Sequence, residues 1–364
     1  MSLPALLAEF GMPPGFVVER QFATTLGVPK AVVRAGDSGE RWFVGSLAAS
    51  WPGIEHIDAM FPLLNDTTAS LAAVRCGVAL GRYRQTRTGS FAVQHGAHHH
   101  FVRPFFDGSA TAAPVLRPLQ ARALALFHEH GWRALHAAPR GGRGTRYAQL
   151  FPEWIQPHLA AAFESGLGQA AGPLRATLAA IAQRGARDAH LLDQLPPFLT
   201  HSDFQGKNML SLPDGDAGRP GIAIIDAETA QVQSRLFDFY FLLMGDDDGS
   251  SLENFAAFRA LLAAYFEHAR GLTGDEARLL GFALQAKAAT FAAWTAGEYH
   301  AAAPGRRPLY KAWFLRALRC IQVIDERAAA LRDAAESFRA LPRRAAAAGT
   351  SFTAARALPA GPAA

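Results

Sequence analysis

Hydrophobic and polar positions divide the chain into a strand-rich first part and a helical remainder. From residue 16 to 47 the runs FVVERQF, AVVRA and RWFVGSL are separated by turn residues such as GDSGE, a pattern typical of antiparallel hairpins. The segment TTASLAAVRCGVAL has helical character with Asp66 as its candidate cap. Strand-like runs return in GSFAVQHGAHHHFVRPFF. Residues 16–106 are therefore predicted to form a small, mostly antiparallel sheet with one or two helices.

Beyond Thr111 the pattern changes to Ala-rich helices that recur up to about Arg332. Strand-like sequence interrupts them from Phe198 to Thr229, where NMLSL and GIAIIDAETA flank the polar turn PDGDAGRP and predict a hairpin. The predicted fold class is α+β. The predicted units are an N-terminal lobe over residues 1–106, a helical C-terminal lobe over 107–336 and a disordered tail over 337–364.

Composition excludes some classes of function without naming one. Half of the 364 residues are hydrophobic and 18% are charged, as in ordinary globular proteins. The net charge of +5 comes from scattered arginines, so no nucleic-acid partner is expected. Two distant cysteines without a CxxC argue against a thiolate metal site. With no basic leader and no run of roughly 18 apolar residues, a cytoplasmic protein without a membrane partner is expected. The oligomeric state stays open.

Chemically informative residues concentrate in the stretch LTHSDFQGKNML. His201, Asp203 and Asn208 have the spacing HxDxxxxN, and Asp226 ends the following strand in AIIDAE. Phosphoryl transfer needs one Asp at the attacking hydroxyl, and an Asn and a second Asp for the Mg²⁺ ions that bridge the nucleotide phosphates. The two segments of the hairpin carry these residue types.

On these residues the sequence resembles the aminoglycoside phosphotransferase and choline kinase superfamily, the small-molecule relatives of protein kinases. The resemblance implies a protein-kinase-like two-lobed fold, ATP and Mg²⁺ as cofactors, and a small-molecule hydroxyl as acceptor. By resemblance Asp203 is the catalytic base, His201 braces the loop, and Asn208 and Asp226 are metal ligands. The segment Asp226-Ala227-Glu228 replaces DFG and no APE follows, so a protein substrate is not expected.

Three further residues near the motif have expected roles. Glu228 fits the family's second acid, and Gln205 is a candidate for orienting the acceptor hydroxyl, so both are possible substrate residues. Asp238, in RLFDFYFLL, resembles the family's acid that steadies the catalytic loop.

The sequence departs from the family at the phosphate-binding cation. These kinases carry a Lys on the third strand that grips the phosphates and pairs with a helix Glu, but RWFVGSL has Gly45 at the expected place. Lys30, Arg34 and Arg41, in that order of preference, are the candidate replacements.

The nucleotide-binding backbone is expected in two places. The turn ATTLGVPK has a single glycine, so Thr24 and Thr25 are candidate donors to phosphate. By resemblance the hinge that holds adenine runs from residue 101 to 106, with Phe101, Arg103 and Phe105 as cofactor-binding positions.

Alternatives to a kinase also follow from these departures. The missing strand lysine and a phosphate-binding loop with a single glycine fit a pseudokinase-like nucleotide-binding or regulatory protein. The same metal site would also serve nucleotidyl transfer from an inverted nucleotide. Four histidines, His95 and His98 to His100, lack acidic neighbours in sequence and favour a partly exposed strand over a metal site.

The acceptor is the least determined part of the sequence. Aminoglycoside-, choline- and homoserine-like acceptors and sugars all stay open. The acidic run Asp246 to Asp248 favours a cationic acceptor. Further candidate lining residues are Trp294, Glu298, Tyr299 and Trp313.

Overall fold

The computed structural model describes residues 2–23, 28–36, 38–49, 57–109, 113–137, 146–165, 167, 174–215, 219–244 and 255–339. Thr24 and Thr25, the acidic run from Asp246 to Asp248, and most of the predicted tail lie outside these residues. The predicted unit boundaries at residues 106 and 336 stay a prediction.

The first part of the chain forms a five-stranded sheet with the order β1-β2-β3-β6-β5. Every neighbouring pair in it is antiparallel, which confirms the predicted sheet. Its strands are β1 Phe16–Ala23, β2 Pro29–Ala35, β3 Arg41–Ala48, β5 Val93–His95 and β6 His98–Pro104.

The two faces of this sheet pack against different helices, because side chains alternate along each strand. Val33, Val44 and Val102 pack under the short helix α1, Leu3–Glu9. Phe43 and Phe101, on the opposite face, pack with the helix α2, Ile57–Ala73. The second face is the one that meets the rest of the molecule.

Helix α2 differs from the sequence prediction at both ends. It is already helical at Ile57, so Pro62 lies inside the helix, and the buried side chains of Ile57, Met60 and Phe61 hold the turns before and around it against the core. It ends at Ala73, and the positive φ angles of Arg75 (47°) and Gly77 (77°) turn the chain into the strand β4, Val78–Leu80.

Helices dominate after residue 112. None of the helices in the described part of the chain is long and apolar enough to cross a membrane. A π-helical turn, Phe151–Ile155, joins the fourth helix to the fifth. The helices are α3 Ala113–Ala137, α4 Tyr147–Leu150, α5 Gln156–Glu164, α6 Arg175–Leu192, α7 Phe239–Met244, α8 Phe255–Phe266, α9 Gly274–Ala301, α10 Arg307–Glu326 and α11 Ala328–Ser337.

Helix α9 is the centre of the helical core. Most of its residues from Glu276 to Ala296 are buried, which fits its many alanines. It begins with a capping box in which Thr273 and Glu276 satisfy each other's backbone N–H groups. The Glu276 carboxylate also accepts two hydrogen bonds from the buried Arg235, at 2.8 and 3.1 Å. This ion pair ties α9 to the segment that precedes Asp238.

The predicted hairpin forms between β8, Met209–Gly215, and β9, Arg219–Ile224. Strand β9 also pairs in parallel with β4, so the hairpin is hydrogen-bonded to a strand from the first part of the chain. Ser109 and Ser211 exchange backbone hydrogen bonds of 3.1 and 2.9 Å, which fasten the segment after β6 to β8. The hairpin is thus held where the helices meet the sheet.

Candidate active site

The loop from His201 to Asn208 joins β7, Phe198–Thr200, to β8, and its backbone is held by Asp238. The buried Asp238 carboxylate accepts from the backbone N–H groups of His201 (2.7 Å) and Ser202 (2.8 Å). Ser202 has a left-handed backbone with φ of 69°, a conformation that non-glycine residues adopt mainly where the surroundings enforce it. The loop therefore has one defined shape, and Asp238 lies where the resemblance expects it.

Asp238 has a further partner that the sequence did not single out. His128 of α3 is buried and bonds Asp238 through Nε2 at 2.9 Å and the Tyr265 hydroxyl through Nδ1 at 2.8 Å. Burial lowers the pKa of His128, which keeps its imidazole neutral. Burial would raise the pKa of Asp238, but hydrogen bonding to His128 outweighs it and the pKa is lowered. A chain of three residues from three elements thus keeps the carboxylate ionised beneath the loop.

Asp203 and Asn208 are brought together within the loop. The Asn208 side-chain amide donates to the Asp203 backbone oxygen at 2.7 Å and to its Oδ2 at 3.0 Å. Because the amide nitrogen is used in this way, the amide oxygen of Asn208 remains as a ligand for a cation. Gln205 donates its amide to Oδ1 of Asp203. Gln205 therefore contacts the expected base, and its predicted contact with the acceptor hydroxyl stays a prediction.

His201 connects the loop to the strand that carries Asp226. Its ring is buried and Nε2 donates to the Ile225 backbone oxygen at 2.9 Å. On the neighbouring strand the Ile225 N–H donates to the Asn208 backbone oxygen at 2.9 Å. Asn208 and Asp226 are thus adjacent on the hairpin. Asp226 is left-handed with φ of 55°, a conformation that Asp tolerates better than most residues.

Lys30 of β2 reaches this hairpin from the opposite sheet. Its Nζ lies 3.1 Å from Asp226 Oδ1 and 3.7 Å from Glu228 Oε1. Burial alone would lower the pKa of Lys30, but the charges of Glu228 and Asp226 outweigh it and raise the pKa. Burial would likewise raise the pKa of Asp226, and Lys30 lowers it instead. The pair is therefore ionised, and the first-choice replacement cation lies beside the expected metal ligand.

Glu228 has different neighbours from those expected. Its side chain is only 3% exposed, and it accepts a hydrogen bond of 3.3 Å from the hydroxyl of the buried Tyr83. Tyr83 is stacked on Phe61 of α2 at 3.9 Å between ring centroids, and Asn65 of α2 exchanges two hydrogen bonds with its backbone. The two carboxylate oxygens face Lys30 and Tyr83, and the expected contact between Glu228 and a substrate stays a prediction.

Gly45 explains why no lysine stands on β3. A Cβ atom built there would lie 2.1 Å from Cζ of Phe101 and 2.9 Å from Cε1 of Phe43. Phe101 is fully buried and pairs with Gly45 across β3 and β6. The ring of Phe101 occupies the volume that a β3 side chain would need. For the same reason, any contact of Phe101 with a nucleotide has to involve its backbone.

Arg103 lies on the same face of β6 as Phe101 and is also buried, with 4% exposure. Its guanidinium lies 4.3 Å from the Phe43 ring centroid, and its charge acts on both Lys30 and Asp226. Within the described residues its Nε has no hydrogen-bond partner. This leaves a buried donor near the candidate nucleotide site.

The other candidate cations lie away from Asp226. Arg34 and Arg41 both bind Glu19 on β1, at 2.9 and 2.7 Å. Arg41 also stacks on Phe105, with 4.4 Å from its guanidinium to the ring centroid. Both arginines belong to a surface network at the outer strands. Phe105 is half-buried beneath Arg41, and its predicted contact with adenine stays a prediction.

The donor set on the hairpin fits a magnesium site that depends on substrate. Mg²⁺ in nucleotide enzymes is held by one or two carboxylates together with substrate phosphates and water. The Asn208 amide oxygen and the Asp226 carboxylate supply hard oxygen ligands of this kind. No cluster of three or more His, Cys, Asp or Glu side chains in the described residues is placed to hold a metal without such help. This holds also for the histidines of β5 and β6, where His100 bonds Ser46 at 2.7 Å.

Sequence reasoning missed Tyr83 and His128, which support the site from a distance. Tyr83 follows β4 in a loop and His128 lies in the middle of a long amphipathic helix. Neither is part of a motif, and a single polar residue in an apolar helix has no signal of its own in one sequence.

Comparisons with solved structures support the fold. The sequence matches no protein-family model and no curated protein. The structure is similar to an aminoglycoside phosphotransferase from Alicyclobacillus acidocaldarius, with a TM-score of 0.54 and 18% identity over 93% of this chain and 97% of that one. It is also similar to an ethanolamine kinase from Plasmodium vivax, with a TM-score of 0.54 and 10% identity over 90% of this chain and 85% of that one.

A third similar structure is a spectinomycin phosphotransferase in complex with ADP and spectinomycin. Its TM-score is 0.51 and its identity 14%, over 86% of this chain and 93% of that one. At these identities the likeness concerns the fold. The chain has the α+β, kinase-like fold that small-molecule phosphotransferases share, which confirms the predicted fold class.

Proposed function

We propose that the chain is a Mg²⁺- and ATP-dependent kinase that phosphorylates a hydroxyl group of a small molecule. The observation that carries the proposal is the position of Lys30, 3.1 Å from Asp226 and 3.7 Å from Glu228. It brings a cation from the sheet to the hairpin that bears Asp203 and Asn208, so the parts needed for phosphoryl transfer meet in one place.

Asp203 is the base in this proposal. Its carboxylate orients the acceptor hydroxyl and receives its proton while the acceptor oxygen bonds to the γ-phosphorus of ATP. The bond from that phosphorus to the β,γ-bridging oxygen breaks, and ADP leaves with the electron pair. Gln205 and Asn208 fix the orientation of the Asp203 carboxylate through their amides.

Asn208 and Asp226 would hold the magnesium through the Asn208 amide oxygen and the Asp226 carboxylate. When bound, the metal supplies positive charge to the β- and γ-phosphates as negative charge moves to the leaving group. His201 keeps the two residues in register through Ile225.

Lys30 would neutralise the nucleotide phosphates in place of the missing strand lysine. Glu228 takes the part that a helix Glu has in related kinases, because it pairs with Lys30 and is held by Tyr83. Arg103 is proposed as a second nucleotide contact, since its buried Nε has no partner in the described part of the chain. The hinge backbone from 101 to 106 is proposed to contact adenine.

Calorimetry with Mg-ATP followed by an ATP-consumption screen tests this function. Binding of Mg-ATP and consumption that depends on a hydroxylated amine, hydroxy acid, aminoglycoside or sugar are expected. Absence of Mg-ATP binding would favour a pseudokinase-like regulatory protein instead. Mass spectrometry of the product distinguishes phosphate transfer from nucleotidyl transfer, because AMP adds far more mass than phosphate.

A further inference from the structure

Lys287 is a lysine for which the proposed mechanism has no use. It is one of only four lysines in a chain whose positive charge is otherwise arginine. It lies in the middle of α9, is half-buried, and points towards α7, with its Nζ 5.5 Å from the centroid of the Phe241 ring. A lysine that stands amid the alanines of the most buried helix needs a physical explanation.

The ammonium group of Lys287 is incompletely compensated. Burial lowers the pKa of Lys287, and the charges of Asp238 and Asp203 oppose this shift without cancelling it. No carboxylate of the described residues lies close enough to Nζ to form an ion pair. A desolvated ammonium without a paired anion is unfavourable, so this position would be stabilised by an anionic ligand.

Lys30 and Lys287 are each influenced by the charges of different carboxylates. The charges that act on Lys30 are those of Glu228 and Asp226, at the expected nucleotide end. Those that act on Lys287 are those of Asp238 and Asp203, at the base. Lys30 is thus placed for the phosphates of the nucleotide, while Lys287 is placed for a molecule that approaches Asp203 from the helical side.

A partly exposed stripe runs along α9 away from Lys287. Phe291, Trp294 and Glu298 follow at helical spacing and are each half-buried, whereas the alanines between them are buried. Trp294 stacks on Trp313 of α10 at 6.1 Å between ring centroids. The stripe therefore extends from Lys287 along a surface that is mainly apolar.

We propose, on the basis of the kinase function above, that Lys287 binds an anionic group of the acceptor, a carboxylate or a phosphate. The acceptor would place its hydroxyl at Asp203 and its acidic group at Nζ of Lys287, with its carbon skeleton along the stripe. The proposed acceptor is therefore an acidic hydroxylated molecule. It replaces the expected cationic acceptor, which rested on Asp246 to Asp248. The transfer step is unchanged, because Lys287 acts on a part of the acceptor that does not react.

Four series of short linear acceptors that differ only in their second terminal group test this inference. The series are hydroxycarboxylates, hydroxyalkyl phosphates, amino alcohols and diols. They are measured by thermal shift in the presence of Mg-ADP and by ATP consumption. The protein is compared with Lys287→Met and with Lys311→Met, a control that removes a half-buried lysine of α10.

Mg-ADP is expected to stabilise all three proteins. An acid of one of the two anionic series adds further stabilisation in the parent and in Lys311→Met, but not in Lys287→Met. In turnover, Lys287→Met raises KM for that acid about tenfold or more with kcat little changed, and leaves KM for the matching diol unchanged. The series that responds distinguishes a carboxylate from a phosphate.

Other outcomes overturn the inference. Equal or stronger stabilisation by amino alcohols, or a response to acids that survives in Lys287→Met, would show that Lys287 does not select the acceptor. A loss of kcat that is the same for acids and diols would place Lys287 at the transferred phosphate instead. Failure of Mg-ADP to stabilise even the parent would contradict the proposed kinase function itself, and with it this inference.

Discussion

The two lysines of the site differ in how their charges are balanced. Lys30 is ion-paired with Asp226, near Glu228, and its pKa is raised. Lys287 interacts with Asp203 and Asp238 from a greater distance, and its pKa is lowered. An ion-paired lysine such as Lys30 is held in place before a ligand binds. A lysine without a paired anion, such as Lys287, is stabilised by a ligand that carries a negative charge. In the proposed function, this difference separates a preorganised nucleotide end from an acceptor end that needs its substrate.

The largest expected effect is at Asp203, the proposed base. Asp203→Asn keeps the shape of the side chain but removes the base, so kcat should fall by about 10²–10⁴. Mg-ATP binding by calorimetry should remain within about threefold, because Asp203 does not contact Lys30. If this variant turned over the acceptor as fast as the parent, the assignment of the base would be wrong.

Asp238→Asn should destabilise the whole loop between the two ends. The substitution removes an ionised acceptor of two backbone N–H groups and of His128, and we expect a loss of about 3 kcal/mol in the free energy of unfolding. Denaturant titration measures it. Asp188→Asn, at a surface pair with Arg187, is the control and should change stability by less than about 1 kcal/mol. Equal effects of the two substitutions would contradict the role of Asp238.

Lys30→Met tests the nucleotide end directly. Loss of the proposed phosphate-binding charge should raise KM for ATP by about 10- to 100-fold and leave KM for the acceptor within about threefold. Arg34→Met should leave both values near those of the parent, because Arg34 pairs with Glu19. A larger effect at Arg34 than at Lys30 would move the cation to the other candidate.

Gly45→Ala tests whether Phe101 excludes a side chain from this position of β3. The new Cβ would overlap the ring of Phe101, so we expect a loss of about 1–3 kcal/mol in the free energy of unfolding. Combining it with Phe101→Leu should cost less than the sum of the two single variants, because both act on one volume. Strict additivity of the two changes would show that Phe101 is not the obstacle.

The smallest expected effect is on the pH dependence of stability. The pKa of Asp226 is lowered in the folded protein, so its contribution is fully present above its unfolded pKa of about 3.9. That contribution is lost as the pH falls through the folded value. Unfolding measured from about pH 5 down to about pH 2, the range in which a depressed Asp loses its contribution, should show a flatter acid limb in Lys30→Met. Identical limbs in the two proteins would mean that the pair adds nothing to stability.

Several elements were predictable because their signals are local. The strands of the sheet follow from alternation, and the β8–β9 hairpin follows from a polar turn between two apolar runs. The spacing of His201, Asp203 and Asn208 was sufficient to predict that these residues lie in one loop, since a tight loop brings its own polar groups together. The start of α2 was predicted wrongly, because the packing of Ile57, Met60 and Phe61 in the core supports helical structure ahead of Pro62.

Other features depend on contacts between distant segments. Glu228 was expected to contact the acceptor, and only its burial beside Tyr83 shows that it faces Lys30. Arg34 and Arg41 are as basic as Lys30, but Glu19 holds both of them at the outer strands. A single sequence does not show which of several residues of the same charge will lie next to a given partner from a distant segment.

The amino-acid sequence alone therefore determined most of the secondary structure around the candidate site and which polar residues lie together in the loop from His201 to Asn208, because hydrogen bonds and alternation within short segments specify both. Tertiary structure alone decided that Lys30, and not Arg34 or Arg41, lies beside Asp226, since Glu19 holds both arginines at the outer strands. It also decided that Lys287, an ordinary lysine in a helix of alanines, lies within electrostatic reach of Asp203. Packing between segments far apart in the chain sets both positions.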